Sequence, residues 1–324
     1  MTQRIVSLLA SGTEVVHALG LEHRLVGISH ECDYPPEVLD RPRVSRPRFD
    51  PDGLTSGEID RAVRAAMERY GSVYAVDDGL LAELEPDLIL TQAVCEVCAV
   101  PTPGVTETVR RLGLGARVLS LDAHTLADIL GTVEQVGAAA HVPERGVDCV
   151  SGLRNRLAAV QAALSDVEPR SVLAIEWLDP PFAPGHWVPE MIERAGGRCV
   201  AGRTGERSVQ TDWAALEDLD PDVLVVMPCG YGLDASTEEA DRHAPELARV
   251  APRAVAERLA YVVDGSSYFN RSGPRAVDGV EILAGLLHPE RWPAPTAEAA
   301  RGWVPPRSGA LAETRVQPDL RTAR

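Results

Sequence analysis

Apolar residues recur along this chain in two rhythms. Short unbroken runs at 5–9, 25–29, 88–91, 117–121, 171–175, 222–227 and 260–264 are bounded by Gly, Pro, Asp and Ser, the pattern of strands buried on both faces of a parallel sheet. Between them, apolar residues spaced by three and four predict helices at 11–19, 56–70, 126–139, 189–195 and 275–287. Residues 73–76 read as a short edge strand, and 41–52, rich in Arg, Pro and Asp, as loop. Strands alternating with helices in this way specify an α/β fold.

One periodic stretch is longer than the rest. From Pro143 to Val167, Val147, Val150, Leu153, Leu157, Val160 and Leu164 form a single apolar stripe, with Pro143 and Glu144 marking the start and Pro169 the stop. At 1.5 Å per residue this helix would span roughly 35–40 Å, enough to brace two lobes. The chain on either side of it echoes itself: Leu84-Glu85-Pro86-Asp87-Leu88-Ile89-Leu90 before, Leu219-Asp220-Pro221-Asp222-Val223-Leu224-Val225 after. Each is an acidic-Pro-Asp turn feeding an apolar run, and each run leads to a cysteine, Cys95 or Cys229. The expected organisation is two Rossmann-like α/β lobes, 1–142 and 169–289, joined by one long helix at 143–168, with a ligand cleft between them. Residues 290–324, rich in Pro, Ala, Arg and Glu, read as a flexible tail.

Composition narrows the function. With 32 basic against 48 acidic residues the net charge is −16, which argues against nucleic acid or anionic lipid as a general partner. No apolar run is long enough to span a membrane. The opening apolar run at 5–10 is too short for a secretory signal and reads as the first strand, so a cytoplasmic location is expected, with the six cysteines as thiols, metal ligands or redox groups. Nucleotide-binding glycine loops and the nucleophile elbow are missing, and no enzyme activity is expected.

Candidate site residues come from the strand ends, where open α/β sheets bind ligands. Ser11 and Glu14 have the spacing of a capping box, and Ser11 and Gly12 are also placed to meet a ligand. The second strand delivers His30-Glu31-Cys32-Asp33-Tyr34, and the third delivers Gln92 and the pair Cys95 and Cys98. After 171–175 comes a proline-stiffened loop holding Trp177, Phe182, His186 and Trp187, although aromatic content is only 4%. Such a cluster suits a flat or bulky apolar ligand. A second aromatic and polar loop, 266–275, contains Tyr268 and Phe269.

The segments Arg4-Ile5-Val6-Ser7-Leu8-Leu9-Ala10-Ser11-Gly12-Thr13-Glu14, Ser29-His30-Glu31-Cys32-Asp33-Tyr34-Pro35 and Gly185-His186-Trp187-Val188-Pro189-Glu190-Met191, with the long central helix, resemble the cobalamin and iron-siderophore class of ABC-transporter substrate-binding proteins. The similarity is closest to a signal-less cobalamin-binding-protein branch and runs from Ile5 to about Pro289. It implies a rigid helix between two lobes and a large ligand, cobalamin or a related corrinoid, held by aromatic and polar contacts in a shallow cleft. Trp177, Trp187 and Tyr268 would supply surface, and His30, Glu31 and Gln92 polar contacts. An ABC permease is the partner the class implies, beside the small-molecule ligand. Corrinoid transport does not call for Cys32, Cys95, Cys98 and Cys229, which leaves a second reading of these residues: a thiolate site for zinc or an iron-sulfur cluster at the cleft.

Overall fold

The computed structural model describes residues 2–93 and 101–306. Its first half runs β1 (Ile5–Ser7), α1 (Ala10–Ala18), β2 (Leu25–Ile28), β3 (Ser45–Pro47), α2 (Ser56–Tyr70) and β4 (Tyr74–Val76). It continues with α3 (Asp78–Glu83), β5 (Leu88–Thr91), α4 (Thr102–Leu112), β6 (Arg117–Ser120) and α5 (Leu126–Ala139). Helix α6 (Pro143–Ala163) follows. The second half opens with β7 (Arg170–Ile175), β8 (Trp177–Leu178), β9 (Pro181–Ala183), α7 (Val188–Arg194), β10 (Gly197–Cys199) and β11 (Val209–Gln210). Then come α8 (Trp213–Leu216), β12 (Val223–Val226), α9 (Leu233–Arg242), α10 (Ala244–Val250) and α11 (Pro252–Ala256). It ends with β13 (Ala260–Val263), α12 (Gly265–Tyr268), α13 (Ala276–Leu287) and β14 (Ala300–Gly302).

The two halves repeat one topology. The first sheet has the order β2-β1-β5-β6, all parallel, and the second β10-β7-β12-β13 with β14 added antiparallel at its edge. In each sheet the first strand of the half lies between its second and third. The echo in the sequence therefore marks equivalent places. Glu85 and Asp220 both take positive φ, 41° and 35°, before their prolines. In both turns the next aspartate fastens the start of the adjacent strand: Asp87 accepts from the Arg4 amide at 2.7 Å, and Asp222 from the Ser171 amide at 2.7 Å. The Ser171 hydrogen bonds hold the Asp222 carboxyl below its ordinary range.

Helix α6 is shorter than its sequence suggested. It gives way to turns after Ala163, where Ser165 Oγ donates to the Ala162 carbonyl and competes with the next helical hydrogen bond. The expected stripe is otherwise realised, with Val150 and Val160 fully buried and Leu153 and Leu164 nearly so, but Val147 is 57% exposed. Against α5 the approach is close because two glycines meet: a Cβ on Gly137 would stand 3.1 Å from Gly146 Cα. Against α13 it is tied by Arg156, which donates to Glu281 at 2.9 Å and pairs with Asp278.

Two local expectations fail. Residues 41–52 are not all loop, since Ser45–Pro47 pairs with β4. Nor are residues after 289 a loose tail throughout. Strand β14 pairs with β13, Trp303 is 4% exposed, and its amide donates to the Ala260 carbonyl at 2.7 Å while its indole N–H donates to Asp241 at 2.9 Å. The composition of this segment concealed a strand and an anchor within 290–306, while 307–324, also read as tail, lie outside the described residues. Replacing Trp303 by alanine is expected to lower unfolding free energy by about 3 kcal/mol, read from the midpoint of a urea titration; an unchanged midpoint would mean that this segment contributes nothing to the fold.

Candidate functional site

The site lies where the C-terminal strand ends of the two sheets approach each other, and one of its buried groups is a carboxylate that the capping-box reading had misassigned. Helix α1 begins one residue earlier than expected, with Leu9 as its N-cap and no side-chain cap. Ser11 is therefore inside the first turn and Glu14 is free to turn inward. It is 2% exposed, and a carboxylate so placed needs cations. They come from the opposite lobe: Arg275 donates to Glu14 at 2.6 Å and Arg271 at 3.4 Å. Arg271 also holds Asp33 through two hydrogen bonds of 2.5 and 2.8 Å and reaches the Glu31 carbonyl at 3.2 Å. Burial of Asp33 works against ionisation, but the Arg271 hydrogen bond and charge outweigh it and keep the carboxyl low. Arg275 lies 4.3 Å from the Tyr34 ring centroid and 5.6 Å from that of Tyr268, within cation–π range of both. Ser272 Oγ donates to Ser11 Oγ at 3.3 Å across the same seam.

A second inter-lobe contact joins α2 to α9. Ser56 Oγ donates to Glu239, both residues fully or almost fully buried. Burial would raise the Glu239 carboxyl, but hydrogen bonds from His243, Ser56 and Arg242 prevail and hold it at about 2.

Of the residues singled out from sequence, Tyr268, at the end of α12, and Trp177, at the start of β8, are partly exposed. The Trp177 indole donates to the Asp179 carbonyl at 3.1 Å and its ring meets Tyr231 edge-on at 5.4 Å. His186, in left-handed backbone at φ 50°, is half-buried, has its ring 5.6 Å from His124 of the other lobe, and has no hydrogen-bond partner for Nδ1. Burial, then the charges of His124 and Arg207, push its pKa down, so it is neutral at physiological pH.

Others serve the fold. Trp187 is 9% exposed and donates to the Phe269 carbonyl at 2.7 Å, while Phe269 is fully buried in the same core. Neither offers contact surface, because the two loops turn these rings inward into the core of the second lobe. Gly12 lies against β1 and β5, where a Cβ would be 2.8 Å from Ser7 Oγ and 3.3 Å from Leu90 Cβ; its smallness seats α1 on the sheet. His30 donates or accepts at Ser45 Oγ, 2.8 Å away, and packs on Tyr74. Its hydrogen bond to Glu31 keeps that carboxyl low. Gln92 is 8% exposed and forms a backbone bridge to Pro101.

Of the four cysteines considered as a thiolate site, Cys32 and Cys229 lie among the described residues. Cys32 is buried beside Thr13 Oγ1 at 3.0 Å, and burial pushes its thiol up to about 11, so it is no thiolate at neutral pH. Cys229 is exposed. Cys95 and Cys98 lie outside the described residues, among which no group of three or more His, Cys, Asp or Glu side chains could hold a metal ion.

Sequence reasoning missed Glu14, Arg271, Arg275, Ser56 and Glu239. The available signal was the pair of arginines in the 266–275 loop, four apart and among the aromatic residues of a candidate site, where acids facing them were to be looked for.

Comparison with known proteins agrees with this architecture. A family described as periplasmic binding protein matches residues 5–265. An ABC transporter substrate-binding lipoprotein, YvrC of Bacillus subtilis, is 25% identical over 301 residues, covering 89% of this chain and 81% of the relative. The vitamin B12-binding protein of Vibrio cholerae is 24% identical over 198 residues, 60% of this chain and 59% of the relative. Among solved structures, a periplasmic heme-binding protein from Pseudomonas aeruginosa superposes with a TM-score of 0.68 at 23% identity, covering 92% of this chain and 97% of the other. The periplasmic vitamin B12-binding protein BtuF of Vibrio cholerae gives 0.63 at 22%, covering 88% and 96%.

Two consequences of the electrostatics can be measured. Arg271→Met should cost about 3 kcal/mol of stability, since it leaves Glu14 and Asp33 short of a cation, and Glu14→Gln in that background should return about 1 kcal/mol; strictly additive effects would show that Glu14 and Arg271 are not coupled. For Glu239 the folded pKa lies below the unfolded value of 4.5, so its contribution is full above that value and is lost as pH falls toward about 2. The melting-temperature gap between the parent protein and Glu239→Gln should therefore close between pH 5 and pH 2, and a gap constant with pH would overturn this assignment.

Proposed function

Because the chain belongs to the periplasmic binding protein family, whose members bind solutes and are not enzymes, we propose that it holds a corrinoid such as cobalamin between its lobes as the binding component of an ABC transport system. The observation that carries the reading is the set of half-buried aromatic rings at the facing strand ends: Tyr34 from the first lobe, Trp177, Tyr231 and Tyr268 from the second. Rings fixed in this way present flat apolar area at small entropic cost, which matches a large planar ligand with a polar edge. The arginines beside them are already paired with Glu14 and Asp33, so the ligand need not bring a large negative charge. The relatives named for vitamin B12 support the corrinoid, and the fold shared with heme-binding structures supports the wider class of large metal-bearing rings.

Titrating the protein with cyanocobalamin and, separately, with hemin while recording the visible bands tests this. A saturable shift with cyanocobalamin is expected, and Trp177→Ala should weaken it by about 2 kcal/mol, roughly thirtyfold in Kd. A shift with hemin alone would move the ligand to heme, and no shift with either would overturn the reading.

A further inference from the structure

The first turn of helix α2 is buried against the opposite lobe. The helix leaves and rejoins the first lobe through the β3–β4 pair, and of its 15 residues only Ser56, Gly57 and Ala66 are buried. Two of these three are buried against the second lobe. Ser56 donates to Glu239. Gly57 lies so close to Asp179 that a Cβ there would stand 2.2 Å from Oδ2 and 2.9 Å from Cγ. Asp179 thus places a carboxylate on the first turn of α2, where the helix dipole favours it. One further contact, from Arg64 to Gln210 at 2.9 Å, lies along the exposed side.

The helix is also built to survive without these contacts. Thr55 and Glu58 form a complete capping box, and Gly71 closes the other end in left-handed backbone at φ 66°. Gly53, before the helix, has φ 77°, and neither glycine has a neighbour within 4 Å of where a Cβ would sit. A self-capped helix between two unencumbered glycines has the means to move as one piece. Beneath it lies β8, which carries Trp177, the aromatic candidate of the second lobe.

We propose that α2 is a lid, closed in this structure over the Trp177 side of the cleft by its N-terminal turn on Glu239 and Asp179, and that a large ligand enters only when this turn lets go. The identity of that ligand rests on the corrinoid reading; the lid does not. The geometry supplies a lock. In Gly57→Cys/Asp179→Cys, the sulfur of residue 179 takes the place of Asp179 Cγ, 2.9 Å from the Cβ at 57, and in a disulfide that separation is about 3 Å.

Stopped-flow mixing of the oxidised double variant with cyanocobalamin should show association at least about tenfold slower than in the same protein after reduction and desalting, while oxidation leaves the parent chain, with its six native cysteines, unaffected. Equal rates in the locked and reduced forms would overturn the lid, and failure of the two introduced thiols to join would contradict the docked position of α2. A ligand-free arm uses hydrogen exchange: Ser56→Ala/Asp179→Ala should speed exchange of the α2 amides about tenfold without changing β1 or β7, and unchanged α2 protection would overturn the proposal. If the parent protein binds neither cyanocobalamin nor hemin, the ligand reading fails and the exchange arm alone decides the lid.

Discussion

Withdrawing a carboxylate from water is expensive unless cations meet it, and Glu14 is withdrawn almost completely at the seam between two sheets. Its cations, Arg271 and Arg275, come from the segment joining β13 to α13 in the other half of the chain. The two lobes can therefore face each other in only a narrow range of orientations without leaving a buried charge unpaired. Asp33 and the Tyr34 and Tyr268 rings complete the arrangement around the same two arginines. Helix α6 sets the separation of the lobes through its glycine contact with α5 and its Arg156 contacts with α13; the Glu14 network sets which surfaces meet.

The local grammar of this fold was legible, and its long-range pairing was not. Apolar runs and turn residues located the parallel strands because a strand buried on both faces must be apolar throughout. The helix at Leu126–Ala139 and the one at Ser56–Tyr70 fell where periodicity put them. The acidic-Pro-Asp echo proved to be a real structural repeat, down to matching left-handed residues. Glu14 was misread because a local rule, the capping box, competes with a tertiary demand that only the fold reveals. Trp187 and Phe269 were misread for a related reason: an aromatic in an irregular segment can point either way, and no period says which. Composition hid β14, since a three-residue edge strand needs little apolar content when the buried Trp303 pins its C-terminal end.

Magnitudes separate the Glu14 contact from the α2 contact between the lobes. Breaking a buried ion pair by removing one side costs about 3–5 kcal/mol, because the remaining charge stays buried. That applies where Arg271 and Arg275 meet Glu14. The contact of α2 with the second lobe is of another kind. A hydrogen bond to a charged carboxylate contributes about 1.5–3 kcal/mol net, and a carboxylate at a helix start about 0.3–1 kcal/mol, with nothing left buried and unpaired when they break. Moreover, Glu239 keeps Arg242 and His243 as partners when Ser56 departs, so no charge is stranded. A structure assembled in this way opens at its weakest seam. The lobes keep their mutual orientation while α2 exchanges positions, which reconciles a rigid two-lobed frame with admission of a ligand far larger than any gap left between Ser56 and Glu239.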